Sequence, residues 1–270
     1  MWDFERDSVG KGGVLFFLAL NVLCLLWCVH RLLLLRGAAF LLGLLILLLW
    51  IAFVMADEAK ALLYHRQMVF LRPEGVFVGS RKHSRKLAWE EIREAEVRFA
   101  RSSGWNLFAN DWLVLSKEPL SDSVRGAICS DVSPWLPEMG LAEFRFSALS
   151  WDPDIGNEEV VAFLKEKCPL LRDALALYDG RSLAWANADG AVLLPEKQYD
   201  KLTAGVSNYS TLMVFREIVW LGAAPITMGA LSGARGLVSN PGVLLILWGL
   251  AVLLAVSCII ARRKILNGLK

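Results

Sequence analysis

The sequence has little of what catalytic and metal-binding sites draw on. Its 270 residues include three histidines and five cysteines. His30, His65 and His83 stand apart with no H-E-x-x-H among them, and neither a G-x-S-x-G turn nor a G-x-x-x-x-G-K-[ST] loop occurs. Cys24 and Cys28 share an apolar run, Cys258 lies in another, and Cys129 and Cys168 sit in the polar middle. No C-x-x-C or Cys/His ligand spacing is present, which argues against a zinc set or a disulfide framework and for reduced thiols in a cytoplasmic compartment. No catalytic residue, metal ligand or cofactor site is expected, and the chain reads as non-enzymatic. Internal repeats and low-complexity stretches are also missing.

Charge is scarce. Asp, Glu, Lys and Arg make up 21% of the chain and apolar residues 56%, against roughly 25% and about 45–50% in an ordinary soluble protein. The scarcity is local. Residues 12–30, 37–56, 218–234 and 242–261 contain none of the four charged types. A plain soluble globule and a disordered chain are therefore excluded.

The net charge of +2 hides an asymmetry. Residues 57–210 hold 19 basic and 23 acidic residues, and the flanks hold 10 and 4. A slightly acidic middle argues against nucleic acid as a partner, because phosphate binding wants a basic face. Basic flanks beside apolar runs suit anionic lipid headgroups.

The apolar runs read as membrane spans. The first, 13–29, continues past His30 and Arg31 to Leu35. It follows Asp3, Glu5 and Asp7 and precedes no small-residue cleavage site, so it is expected to be a retained helix rather than a cleaved signal peptide. Arg31 lies near a helix end, from which it can snorkel to the headgroups. The second run, 37–56, and the fourth, 242–261, each have the length of a bilayer crossing. The third, 218–231, is preceded by Arg216 and Glu217 and interrupted by Pro225; a full span is expected, with a re-entrant segment as the alternative. Lys and Arg near the helix ends put three on one side (Arg31, Arg36 and Arg235) and twelve on the other. The expectation is a multi-pass protein of the cytoplasmic (inner) membrane with both termini and the middle domain cytoplasmic. Asn21 is the one strongly polar side chain deep in the first run. It reads as a single interhelical hydrogen bond of about 0.6 kcal/mol, with no second intramembrane charge to form a relay.

After Ala56 the second helix continues as an amphipathic stretch through residue 66, and from Gln67 the period becomes two. Strands are expected at Met68–Arg72, 76–78, 87–89, 95–101, 112–115 and 143–148, with a turn at Pro73-Glu74-Gly75. Residues 118–141 form a Pro- and Ser-containing insertion. A helix with Val160, Val161, Phe163 and Leu164 as its buried stripe follows, breaks near Pro169 and resumes to Tyr178. Glu90, Glu91, Glu94 and Glu96 read as a solvated acidic face, and 179–209 as a short hairpin or linker.

The segments MVFLRPEGVFVGSRK and KLAWEEIREAEVRF, with the Trp89-Glu90-Glu91-Ile92 step, resemble the opening of bacterial pleckstrin-homology-like (PH-like) domains. FRFSALSWD and NEEVVAFLKEKCP look like their last strand and capping C-terminal helix. The resemblance covers about 66–175 and implies an antiparallel sheet or partial barrel capped by a helix, following a membrane hairpin. It also implies that the first hairpin loops can bind phosphate headgroups. Arg81, Lys82, Arg85 and Lys86 stand at that hairpin tip and are the candidate lipid- or partner-binding residues; the alternative is a solvated turn that keeps a sheet edge from pairing. Trp135, in the insertion, is the other candidate, an aromatic that could dip into lipid or dock a partner.

The expected architecture is an α+β membrane protein with four transmembrane helices in two hairpins. Residues 1–65 form the N-terminal hairpin and helix extension, 66–178 the PH-like cytoplasmic domain, 179–210 a linker or short hairpin, and 211–270 the C-terminal hairpin and basic tail. The expected role is a scaffold or regulator binding protein partners or anionic lipids. A toxin-immunity-type or regulatory subunit and a small transporter or channel component are the alternatives.

Overall fold

The structure, a computed structural model, describes residues 2–5, 8–79, 84–99, 111–128, 130, 132–136, 141–146, 157–233 and 241–268. Its elements in chain order begin with β1 (Trp2–Glu5), α1 (Ser8–Leu32), α2 (Gly37–Trp50), a π turn (Ile51–Met55) and α3 (Ala56–His65). Then come β2 (Met68–Arg72), β3 (Gly75–Gly79), β4 (Ser84–Leu87), a 3-10 turn (Trp89–Glu91), β5 (Glu94–Phe99), β6 (Asp111–Ser116), α4 (Asp122–Ala127), a second 3-10 turn (Ser133–Trp135) and β7 (Leu141–Phe146). The chain closes with α5 (Asn157–Lys167), α6 (Pro169–Leu177), β8 (Leu183–Asn187), β9 (Gly190–Leu194), α7 (Glu196–Leu231) and α8 (Pro241–Asn267). These fall into two units. One comprises residues 1–8, 65–208 and 265–270, the other residues 9–64 and 209–264.

The sheet unit holds two antiparallel sheets, ordered β1-β2-β3-β4 and β7-β6-β5-β8-β9, and neither closes into a barrel. The β2–β3 turn is tight because Gly75 adopts φ +146, and a Cβ there would lie 2.4 Å from the Leu87 carbonyl oxygen. Alternation sends Val69, Leu71, Val76, Val78 and Leu87 of the first sheet, and Ala95, Val97, Leu113 and Leu115 of the second, into one core. Val160 and Leu164 of α5 and Leu171 and Ala174 of α6 join it. Pro169 has no N–H to continue α5 and instead begins α6, with Cys168 as the break. Trp89 donates from Nε1 to the Arg72 carbonyl at 3.0 Å and meets Phe163 of α5 edge-on at 5.8 Å.

Three features depart from the sequence reading. β1 adds an unforeseen strand beside β2, pairing Asp3 with Phe70, and its Trp2 ring packs 4.8 Å from Phe163. Trp89 lies in a 3-10 turn rather than a strand, because the Ala88 N–H is taken by Glu91 Oε2 at 3.1 Å. β8 and β9 extend the second sheet beside β5, with Leu183, Ala184 and Ala186 buried.

The helical unit contains most of four helices long and apolar enough to cross a membrane: Gly12–Leu32, Gly37–Tyr64, Glu196–Leu231 and Gly242–Asn267. The third is one continuous helix through Pro225. Its inward face is a helical stripe of Arg216, Glu217, Trp220, Ala223, Ala224, Thr227 and Met228, all buried, while Phe215 and Ile218 stay exposed. Trp220 meets Trp248 edge-on at 5.3 Å, and Trp248 Nε1 donates to Thr227 Oγ1 at 2.8 Å. Gly43 lets the helices close: a Cβ there would lie 2.8 Å from Leu32 Cδ1 and 3.2 Å from Met228 Sδ.

Candidate functional site

The outer face of the first sheet carries an open cleft, and Lys86 lies in the strand row that runs through it. Strand register sets Asp3 opposite Phe70, Phe70 opposite Phe77, and Phe77 opposite Lys86, so these four form a single row on the face turned away from the core. Arg72 lies two residues along from Phe70 on that face. Its guanidinium stands 5.4 Å from the Phe70 ring centroid and bonds Asp3 Oδ1 at 2.7 Å. Asp3, Phe70, Arg72 and Phe77, together with Glu74 and Ser84, line an open cleft of about 460 Å³, with Lys86 next in the row beyond Phe77. An aromatic floor with a guanidinium above it suits stacking and anion contact.

The sequence candidates do not gather into one patch. Arg81 and Lys82 lie outside the described residues. Arg85 pairs with Val78 and Lys86 with Phe77, so the pleat sends the two to opposite faces of β4. Lys86 is exposed beside the cleft row and Arg85 is half-buried. Trp135 sits in the second 3-10 turn, half-buried, and the next residue, Leu136, packs on Val114, Leu120, Val124 and Ile128. The insertion thus covers the second sheet's outer face.

That covering overturns the solvated acidic face. Glu94 and Glu96 are fully buried, as is Arg98, on the side of β5 opposite Ala95 and Val97. Arg125 of α4 reaches them with Nη2 to Glu94 Oε1 at 2.5 Å and Nε to Glu96 Oε1 at 2.6 Å, its guanidinium 4.3 Å from the Trp185 ring. Arg98 pairs with Glu96 and donates to the Arg125 carbonyl. Burial, reinforced by the Glu96 charge, pushes the Glu94 carboxyl up to about 7. Burial also opposes the Glu96 charge, but Arg98 and Arg125 together prevail and hold its carboxyl below the usual carboxylate range. Glu91 remains at the surface, paired with Lys117 at 2.9 Å.

The helical unit holds a second polar centre. Asn21 sits near the middle of the first span. Its Nδ2 donates to Glu58 Oε1 at 2.9 Å and to the Phe17 carbonyl at 3.0 Å, and lies 3.4 Å from Glu217 Oε2. Its Oδ1 accepts from Trp50 Nε1 at 2.8 Å. Arg216 joins Glu217 Oε1 at 2.7 Å to Asp57 Oδ2 at 2.8 Å, and Arg262 reaches Asp57 Oδ1 at 3.2 Å. This replaces the single interhelical hydrogen bond expected of Asn21, and the second buried charge taken to be absent is present. The π turn contributes. In an uninterrupted α-helix Glu58 would overshoot the side of Trp50 by about 80°, and the wider turn, closed by Ala56 N–H to Ile51 O, takes up much of that. Sequence offered one signal: Asp57-Glu58 directly follows the second run and Arg216-Glu217 directly precedes the third.

Among the described residues, no group of three His, Cys, Asp or Glu is placed to hold a metal ion. Comparison with known protein families, curated proteins and solved structures finds no match to this chain.

Proposed function

We propose that this chain is a multi-pass protein of the cytoplasmic membrane whose sheet unit is a non-catalytic, PH-like binding module for protein partners or anionic lipid headgroups, so that the protein acts as a scaffold or regulator. The observation that carries this reading is the open cleft on the first sheet, floored by Phe70 and Phe77 and edged by Arg72, with Lys86 next in its row, on a sheet whose other face is core. The two antiparallel sheets packed around one core with α5 and α6 support the PH-like form; β1, β8, β9 and the insertion are additions to it. Basic residues on one side of the spans support the cytoplasmic orientation.

The test uses the full chain in detergent. Wild type and R81Q/K82Q/R85Q/K86Q are compared by pull-down from solubilised membranes and by titration with glycerophosphoserine, a soluble anionic headgroup. Loss of a specific partner or of headgroup binding in the variant supports the reading. Unchanged partners together with unchanged headgroup binding remove the basic hairpin as the binding surface.

A further inference from the structure

At the polar centre of the helical unit the Asn21 amide nitrogen faces more acceptors than it has hydrogens. Trp50 Nε1 can only donate, so the Asn21 atom 2.8 Å away is the carbonyl oxygen and the amide NH2 faces the acids. That NH2 has two hydrogens and three acceptors in reach: the Phe17 carbonyl, Glu58 Oε1 and Glu217 Oε2. Both carboxylates lie against one nitrogen, so their nearest oxygens are at most about 6 Å apart. Arg216 is shared between Glu217 and Asp57, and Arg262 reaches Asp57, whereas Glu58 forms no ion pair among the described residues. Glu58 is 7% exposed and its Oε2 has no hydrogen-bond partner.

Two turns earlier on the helix that carries Arg216 and Glu217 stands a further unpartnered group. The Tyr209 hydroxyl, from α7, is also buried with no partner, in the field of Asp57, Arg216 and Arg262. Among the described residues, the ion pairs of this centre set three acids, Asp57, Glu58 and Glu217, against two arginines, one more negative charge than positive in an apolar bundle. A bare buried charge is costly, and a buried carboxyl meets that cost by taking a proton. A metal cation is disfavoured by the donor set: it needs oxygen ligands, and Asn21 turns its NH2 toward the pair while Trp50 holds its oxygen.

We infer that Glu58 and Glu217, clamped by Asn21, form a proton-binding site within the helical unit, with Glu58 Oε2 as the atom that receives the proton. The proton comes from solvent, an O–H bond forms on Glu58, no bond breaks, and the five-charge centre passes from one net negative charge to neutral. Release of the proton restores repulsion between α3 and α7, so occupancy is coupled to their packing. The site is independent of what the sheet unit binds.

The test is infrared difference spectroscopy of the full chain in neutral lipid vesicles, titrated from acidic to alkaline buffer, unlabelled and with 13C-glutamate, in an E94Q background that removes the carboxyl of the sheet unit raised to about 7. The expected result is a protonated-carboxyl band near neutral pH that shifts with the glutamate label and is lost in E58Q. It is also lost in E217Q, because removing that charge removes the need for the proton. A band that persists unchanged in E58Q overturns the proposal. Should E58Q and E217Q fail to fold, the labelled E94Q background decides alone: a glutamate band that appears and disappears with pH supports the site, and its absence throughout overturns it. Stabilisation by sodium without any protonated-carboxyl band also overturns it, assigning the centre to a metal cation.

Discussion

The indole Nε1 of Trp50 donates to Oδ1 of Asn21 at 2.8 Å, and this one contact fixes which way the Asn21 amide faces in the helical unit's polar centre. It turns the amide NH2 toward Glu58 and Glu217. Removing the indole donor and removing the amide should therefore differ. W50F gives up one interhelical hydrogen bond, worth about 0.6 kcal/mol and at most about 1.7 kcal/mol. N21L gives up that bond and also leaves Glu58 Oε1 without its donor, so its loss should be larger. Thermal unfolding of the full chain in detergent ranks the two. Equal losses, or a milder N21L, would mean that the amide does not bridge the acids.

The sheet unit gives a pH dependence of definite sign. Glu94 rises from an ordinary 4.5 to about 7 on folding, chiefly by burial. The folded state therefore binds more protons than the unfolded state between those values, and stability declines across that window as pH rises. The contribution is fully present below about 4.5 and lost as pH passes through about 7. Glu96 works the other way: held low by Arg98 and Arg125, it stabilises above its ordinary value and is lost as pH falls through its lower folded value. Urea midpoints followed by tryptophan fluorescence should fall from mildly acidic to neutral pH in wild type, and E94Q should flatten that fall. An equal fall in E94Q would rule out Glu94 as its source.

Arg125 answers two carboxylates at once, with Nη2 on Glu94 and Nε on Glu96. Its removal leaves both buried without their fork. R125A is expected to cost about 3–5 kcal/mol, the range for stripping one partner from a buried ion pair. R125K should recover only part of this, since an ammonium cannot span two acids with a fixed fork. Denaturant midpoints of the three proteins test the ranking, and an R125A within error of wild type would show that water reaches the network.

These two networks mark where the sequence stopped being legible. Met68–Arg72, the turn at Gly75, the α5–α6 break at Pro169 and the membrane-length helices could all be read, because each rests on local periodicity or on one residue's backbone chemistry. Glu94, Glu96 and Arg98 alternate as an exposed face does, and only α4, some 30 residues on, turns that face into an interior. Arg216 and Glu217 lower the hydropathy of their helix and so look like its boundary. Their position on its inward stripe depends on partners at Asp57 and Asn21 that no local window contains. Arg85 and Lys86 look like one basic cluster in sequence, but the pleat of β4 separates them. Local pattern reports an element; which face is covered is a property of the whole chain.

Two glycines carry the last prediction, because the same substitution should have opposite signs at them. Gly126 belongs to α4, and a Cβ there would stand 2.7 Å from the Leu202 carbonyl oxygen, a backbone atom that cannot swing aside as a side-chain tip can. G126A must push α4 away from α7 and strain the Arg125 fork beside it, so a cost of about 1–3 kcal/mol is expected. Gly205 lies exposed on α7 with nothing within 4 Å of the same added atom. There alanine only restricts the unfolded chain and favours the helix, and G205A should stabilise by about 0.5–1 kcal/mol. Denaturant midpoints of both variants against wild type check the pair. A neutral G126A would show that α4 does not seat on Leu202, and with it that the ion network is not sealed by that helix.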